Sequence, residues 1–151
     1  MSNKGTPGAI ATNRKALHDY SVDDTIEAGI MLVGSEVKSI RAGRVTLKDS
    51  YAAFDERGEC LLHQLHINEY PNATHFQHVP LRVRKLLLHK EELEKLQRKV
   101  SEKGYTLIPL ELYLKNRRIK VKLGLCRGKK EYDKRQSIKE RDEDRDRRRG
   151  E

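Results

Sequence analysis

Residues 118–126 read RIKVKLGLC, and within them Ile119, Val121, Leu123 and Leu125 alternate with Lys120, Lys122 and Gly124. Successive side chains of an extended chain point to opposite faces, so this period of two specifies a strand with one face buried and a lysine-bearing face in water. Directly before it stands TLIPLELYL (106–114), joined through KNRR (115–118). Two apolar runs so close together demand an antiparallel sheet with one solvated side. Pro109 interrupts the first run and cannot donate a ladder hydrogen bond, which places an edge or a bulge there.

Other segments supply more strands. TIEAGIMLV (25–33) reads as a strand buried on both faces over part of its length. SYAAFD (50–55) and CLLHQLHI (60–67) flank ERGE and form a hairpin. In the second of these, Leu61, His63, Leu65 and Ile67 share one face, and Leu62, Gln64 and His66 the other. Two stretches carry helical signals. In GSEVKSIRAG (34–43), Ser35 is placed to cap, Glu36 suits the positive N-terminal end, Arg41 suits the other end, and Gly43 sits at a left-handed stop. Val33, Val37 and Ile40 supply the buried stripe. Further on, Leu93, Leu96 and Val100 stand at helical spacing, with Gly104 just past them. The expected fold class is mainly β with added α-helices. A small antiparallel barrel of the oligonucleotide-binding type is the most economical version at 151 residues.

The apolar groups are unevenly spread. The first dozen residues and the last two dozen nearly lack them, so the core belongs to a central segment of about 110 residues. The expected organisation is a flexible N-terminus at 1–12, a barrel domain at 13–127 and a basic C-terminal tail at 128–151. Thirty-two Lys and Arg against 23 Asp and Glu leave a net charge of +9. That surplus favours a polyanionic partner, nucleic acid first and a membrane surface second. No apolar run approaches the length of about 18 residues that a membrane span needs. The start, MSNKGTPGAIATN, lacks the apolar core of a secretory signal. A reducing, cytoplasmic setting is expected, with Cys60 and Cys126 acting as small hydrophobes.

Catalysis and metal binding find little support. His63 and His66 fall on opposite faces of one strand and cannot converge on an ion. His75 and His78 lie in a loop without a nearby cysteine pair. No nucleophile elbow, phosphate-cradling glycine loop or dinucleotide fingerprint occurs. No catalytic residue, metal or cofactor is therefore expected. Three basic clusters remain: NRKALHDY (13–20), RVRK (82–85), and the run from KNRR through Lys120 and Lys122 into RGKKEYDKR (127–135). A barrel can gather these into a patch that follows a phosphate backbone, with His18, Tyr20, Tyr113 and Tyr132 as rings to stack on unpaired bases. The alternative is a scatter of solvated charges around core tyrosines.

Six blocks occur in a characteristic order and spacing: NRKALHDY, EAGIMLVGSEVKSIRAG, DSYAAF, RKLLLHKEELEKL, KGYTLIPLELYLKN and GKKEYDKR. They resemble the SsrA-binding protein (small protein B) family over about residues 10–141. The resemblance implies an oligonucleotide-binding-like barrel, monomeric, that binds the tRNA-like domain of transfer-messenger RNA (SsrA). With alanyl-transfer-messenger RNA and elongation factor Tu it would enter stalled 70S ribosomes, where the nascent peptide is tagged for degradation. The protein would catalyse no covalent step. By position, Asn13, Glu27 and Leu87 match the family's RNA contacts, and Arg14, Lys15, Arg84 and Lys85 would supply backbone contacts. Asn13 would offer donor and acceptor to a base edge or ribose. Glu27 would accept from base amines or ribose hydroxyls, or else be a structural carboxylate beside an arginine. Leu87 would pack on a base or belong to the core.

Gly128, Lys129, Lys130, Tyr132, Asp133, Lys134 and Arg135 match the ribosome-active segment, implied to work against 16S rRNA in the decoding centre and the empty mRNA channel. The remaining tail has charge pairs at i,i+4 but no apolar stripe, so it is expected to be disordered when free and helical on the ribosome.

Overall fold

The computed structural model describes residues 8–71 and 77–128. Its centre is the anticipated hairpin, β8 (Thr106–Lys115) and β9 (Arg118–Gly128), joined by a two-residue turn. Asn116 and Arg117 both take positive φ, 52° and 66°. Positive φ at both turn positions matches the right-handed twist of the flanking strands. Asparagine tolerates that conformation, whereas arginine does so at a cost of about 1 kcal/mol. The register runs from Lys115 opposite Arg118 to Thr106 opposite Cys126, with a shift between Pro109 and Glu111. Pro109 thus sits at a bulge, as its missing N–H requires. The bulge leaves Leu110 lying over Gly124, where a Cβ would come within 2.8 Å of Leu110 Cδ1. Only glycine fits beneath it.

β2 (Tyr20–Ile30) pairs with β9 along nearly its whole length. It starts five residues before the sequence pattern predicts, through the polar stretch SVDDT. Ladder pairing with β9 overrides that segment's weak strand propensity. β4 (Tyr51–Phe54) and β5 (Cys60–His63) form the expected hairpin, and β7 (Arg84–Leu87) links β5 to β2. The strand order β8-β4-β5-β7-β2-β9, with β9 returning to β8, closes a barrel in which each of these six strands has a neighbour on both sides. Inside it are Ala28, Leu62, Leu86, Leu107, Leu112, Val121 and Leu123, all at 6% exposure or less. Three helices are described: α1 (Arg14–Asp19), α2 (Gly34–Arg41) and α3 (Lys90–Lys103), and none is long and apolar enough to cross a membrane.

Three expectations need correction. Ala9–Thr12, assigned to a flexible N-terminus, form strand β1 on β8, with Ala9 opposite Tyr113. CLLHQLHI is not one strand. Gln64 takes φ 61°, the chain turns, and His66–Ile67 (β6) pair with Val45–Thr46 (β3) in a separate small sheet. His63 therefore stacks on Tyr51 with ring centroids 5.2 Å apart, while His66 belongs to the other sheet. Ser35 does not cap α2. Val33 holds the N-cap position, and Glu36 Oε1 accepts from the Val33 N–H at 2.9 Å, half of a capping box. Gly43 (φ 76°) and Gly104 (φ 69°) do supply the left-handed stops.

Glu36 anchors more than its own helix. It is fully buried, and so is Arg84. Arg84 Nε donates to Glu36 Oε2 at 2.7 Å and Arg82 Nη2 to Oε1 at 2.6 Å. Arg84 also donates to the carbonyls of Leu65 (2.5 Å) and Pro80 (3.2 Å). Beside it, His78 Nε2 donates to Ile67 O at 2.8 Å, which leaves Nδ1 to accept from Ser35 Oγ. His78 is a satisfied core histidine. Cys60 and Cys126 are free and buried, and burial pushes their thiols up to about 12 and about 11. At neutral pH both stay protonated and unreactive.

Candidate nucleic-acid interface

The tight Asn116–Arg117 turn sets two guanidiniums at the tip of the central hairpin. Beneath them lies a groove between β2, β7 and the hairpin. Gly29, Leu87, Leu114 and Ile119 line its floor, and Arg41, Arg117, Arg118 and Lys120 its rim. Gly29 stands opposite Leu87 in register, and a Cβ at Gly29 would lie 3.2 Å from Leu87 Cβ. Glycine keeps the floor open. Leu87 is 48% exposed, a large apolar side chain in water surrounded by cations. An apolar floor inside a basic rim suits a nucleobase, whose faces stack or pack while its phosphates are neutralised at the edge.

Glu27 lies two residues before Gly29 on the same face of β2. Tyr113 donates its hydroxyl to Glu27 Oε2 at 2.6 Å, and Lys115 Nζ stands 3.3 Å from the same oxygen. The Tyr113 hydrogen bond, with help from Lys115 and Lys120 and against partial burial, holds the Glu27 carboxyl below the usual carboxylate range. Burial and the Glu27 charge together push the Tyr113 phenol up, so it stays a donor. The carboxylate is 39% exposed and keeps acceptor directions facing solvent. Its partners are a tyrosine and a lysine, where the sequence suggested an arginine. An acidic acceptor in a basic field repels phosphate and rewards donors such as base amines and ribose hydroxyls.

Register extends this face. Thr12, Glu111, Lys122 and Glu27 stand in one row across β1, β8, β9 and β2. At about 4.8 Å per strand the start of α1 is roughly 15 Å from Glu27. α1 packs through Ala16 on Ile108, Leu110 and Cys126, a small apolar cluster apart from the barrel core. Arg14 and Lys15 are exposed on this helix, and Lys15 pairs with Asp49 at 2.7 Å. Lys85, on the same side of β7 as Leu87, is half-exposed near Glu59.

Two of the residues expected to contact RNA are buried. Asn13 is 3% exposed, and its side chain has no free group. Its Oδ1 accepts from the Ala16 N–H at 3.1 Å, capping α1, and Nδ2 donates to Pro109 O (2.9 Å) and Leu47 O (3.3 Å). Asn13 is the rivet that seats α1 on the β8 bulge. Arg84 is internal, its guanidinium consumed by Glu36 and three loop carbonyls. It presents no charge to a phosphate. Tyr113, offered as a stacking ring, is 5% exposed and acts only through its hydroxyl. Lys129, Lys130, Tyr132, Asp133, Lys134 and Arg135 lie outside the described residues, as does His75. Among the described residues no group of three His, Cys, Asp or Glu could hold a metal ion.

Asn13→Ala should remove the cap and the side-chain donor to Pro109 O, while Leu47 O keeps its bonds from Ser50, lowering stability by about 1–3 kcal/mol. Urea unfolding would check this, and RNA affinity of the folded fraction should hardly change. Sequence reading also passed over Arg41 and Gly29 as parts of this site. The Asn116–Arg117 pair was the available signal, since an asparagine at a two-residue turn fixes where the following arginine points.

The chain matches the family described as "SmpB protein" over residues 10–150. It is 55% identical over 146 residues to the SsrA-binding protein of Staphylococcus saprophyticus, covering 97% of this chain and 94% of that protein. The SsrA-binding protein of Staphylococcus aureus strain N315 is 55% identical over 141 residues, covering 93% of this chain and 91% of that one. Among solved structures it is similar to one described as "tmRNA-SmpB: a journey to the center of the bacterial ribosome". That match has a TM-score of 0.67 and 50% identity, over 80% of this chain and 85% of the other.

Proposed function

The chain belongs to the SmpB protein family, and on that premise we propose that it is an RNA-binding adaptor of trans-translation. It binds the tRNA-like domain of transfer-messenger RNA (SsrA) and brings it to stalled ribosomes. There residues 128–151 work in the decoding centre and empty mRNA channel while the nascent peptide is tagged and the ribosome released. The protein positions RNA and performs no covalent step. One observation carries the RNA-binding part: an ionised Glu27 and an exposed Leu87 beside a groove rimmed by Arg41, Arg117, Arg118 and Lys120. A basic surface meant only for phosphates has no use for a carboxylate and a bare leucine at its centre. In this reading Glu27 and Leu87 select the RNA. Arg117, Arg118, Lys120, Arg14, Lys15 and Lys85 neutralise its backbone, and Gly128 through Arg135 engage the ribosome.

Truncation tests the division of labour. A chain ending at Gly128 should bind the tRNA-like domain within about threefold of the full chain, because the groove lies wholly in the barrel. Peptide tagging on stalled ribosomes in a purified system should be abolished. Tagging that survives would remove residues 129–151 from the mechanism. Equal affinity of the full chain for any structured RNA would point instead to a constitutive rRNA-binding or assembly protein.

A further inference from the structure

Asp23 is the extra residue of a bulge in β2. Pairing with β9 runs to Val22 opposite Cys126 and resumes with Asp24 opposite Leu125. A bulge re-aims one side chain out of the strand's alternation. Here the re-aimed carboxylate meets two groups from other elements. Asp23 Oδ2 accepts the Tyr105 hydroxyl at 2.6 Å and lies 2.9 Å from Arg127 Nη2. The Arg127 guanidinium in turn stands 5.5 Å over the Tyr105 ring. Tyr105 occupies the junction between α3 and β8, so β2 and that junction close around one arginine near the end of β9. Each contact is short and charge-assisted or cation–π, and together they define a direction as well as a distance.

The position of this ring is what gives it meaning. Arg127 is followed by Gly128, which pairs with Tyr20 as the last residue of β9 and where a Cβ would meet nothing within 4 Å. Arg127 is therefore the last side chain of β9 by which the barrel holds the chain before residue 129. Its side chain is 60% exposed, and an ion pair so exposed adds little to folding. We propose that Asp23 and Tyr105 are positioning residues: they clamp Arg127 beside the last pair of the β9 ladder and so fix the direction in which residues 129–151 leave the barrel toward the ribosome. The inference rests on the proposed function for the step it serves, although the clamp itself can be measured without it.

Asp23→Ala, Asp23→Glu and Tyr105→Phe in the full chain test it. In the free protein, ¹⁵N relaxation of the Arg127 Nε–H group should report an ordered side chain that becomes mobile in Asp23→Ala. An Arg127 as mobile in the parent as in that variant overturns the clamp, whatever the protein's function. With transfer-messenger RNA and stalled ribosomes, affinity for the tRNA-like domain should stay within about twofold for all three. Single-turnover tagging should slow about tenfold in Asp23→Ala, less in Tyr105→Phe, and recover in Asp23→Glu, as loss of a positioning contact predicts. Unchanged tagging in Asp23→Ala overturns the positioning role. A loss of RNA affinity that matches the loss of tagging overturns it too, by placing the cluster in the RNA-binding surface. Failure of the parent protein to tag would count against the proposed function, and the relaxation measurement would then decide on the clamp.

Discussion

Arg84→Ala should lose about 3–5 kcal/mol of stability, a large share of the roughly 5–15 kcal/mol available to such a domain. The substitution leaves the carboxylate of Glu36 in a fully buried site with Arg82 as its remaining cation. It also strips a donor from the carbonyls of Leu65, Val79 and Pro80, so the chain connecting β6 to β7 loses one of its tethers and keeps those through Ile67 and His78. Glu36→Ala should be comparably harmful, since it leaves the buried guanidinium unpaired. Replacing both by apolar residues of similar volume should be milder than either single change, because no buried charge then remains. Guanidinium unfolding of the four proteins checks this. Two mild single variants would show that the pair is not the anchor proposed.

The same pair predicts an acid limb. Burial alone would raise the Glu36 carboxyl, but hydrogen bonds from Arg82, the Val33 N–H and Arg84 outweigh it, and the group is held below its ordinary value of 4.5. A folded-state value below the unfolded one means the contribution is complete above about pH 4.5 and is lost as pH falls through the lower folded value. Stability measured downward from pH 6 should fall more steeply in the parent than in Glu36→Ala.

Glu27→Ala should split specific from general RNA binding. The carboxylate accepts from Tyr113 and Lys115 and still faces solvent at the lip of the groove. A hydrogen bond to a charged acceptor is worth about 1.5–3 kcal/mol, so affinity for the tRNA-like domain should fall by roughly one to two orders of magnitude. Removing one negative charge and releasing Lys115 should at the same time raise affinity for an unrelated RNA. It should also steepen the salt dependence of that binding by about one contact. Glu27→Gln, which can still accept from Tyr113, should show the electrostatic half of the effect with less structural disturbance. Filter binding to both RNAs at two salt concentrations separates the terms. If both affinities drop together, Glu27 only supports Tyr113 and selects nothing.

Much of the barrel was legible from neighbours along the chain. The alternation from Ile119 to Leu125 marked β9, Pro109 marked the bulge, and Gly43 and Gly104 ended their helices with positive φ. Each depends on residues a few positions apart, which is the range over which periodicity and turn chemistry act. Strand β1 was hidden because the four residues AIAT are too short a run to signal a face, and only the stretch of β8 that β4 leaves unpaired makes them a strand. The break at Gln64 was hidden because its alternation continued across a residue whose positive φ nothing in the local pattern required.

The candidate site divides in the same way. Basic character, the lysine face of β9 and an arginine pair after Asn116 were all written locally. The fate of each polar side chain was not. Asn13 and Arg84 read as exposed ligands, yet Asn13 meets a carbonyl 96 residues away and Arg84 a carboxylate 48 residues away. By itself the sequence determined which strands must exist, which faces carry charge and where turns fall, because those follow from side-chain periodicity and backbone sterics. Which charges face solvent and which are neutralised inside was decided by the tertiary structure alone, because burial and pairing depend on segments that only the closed barrel brings together.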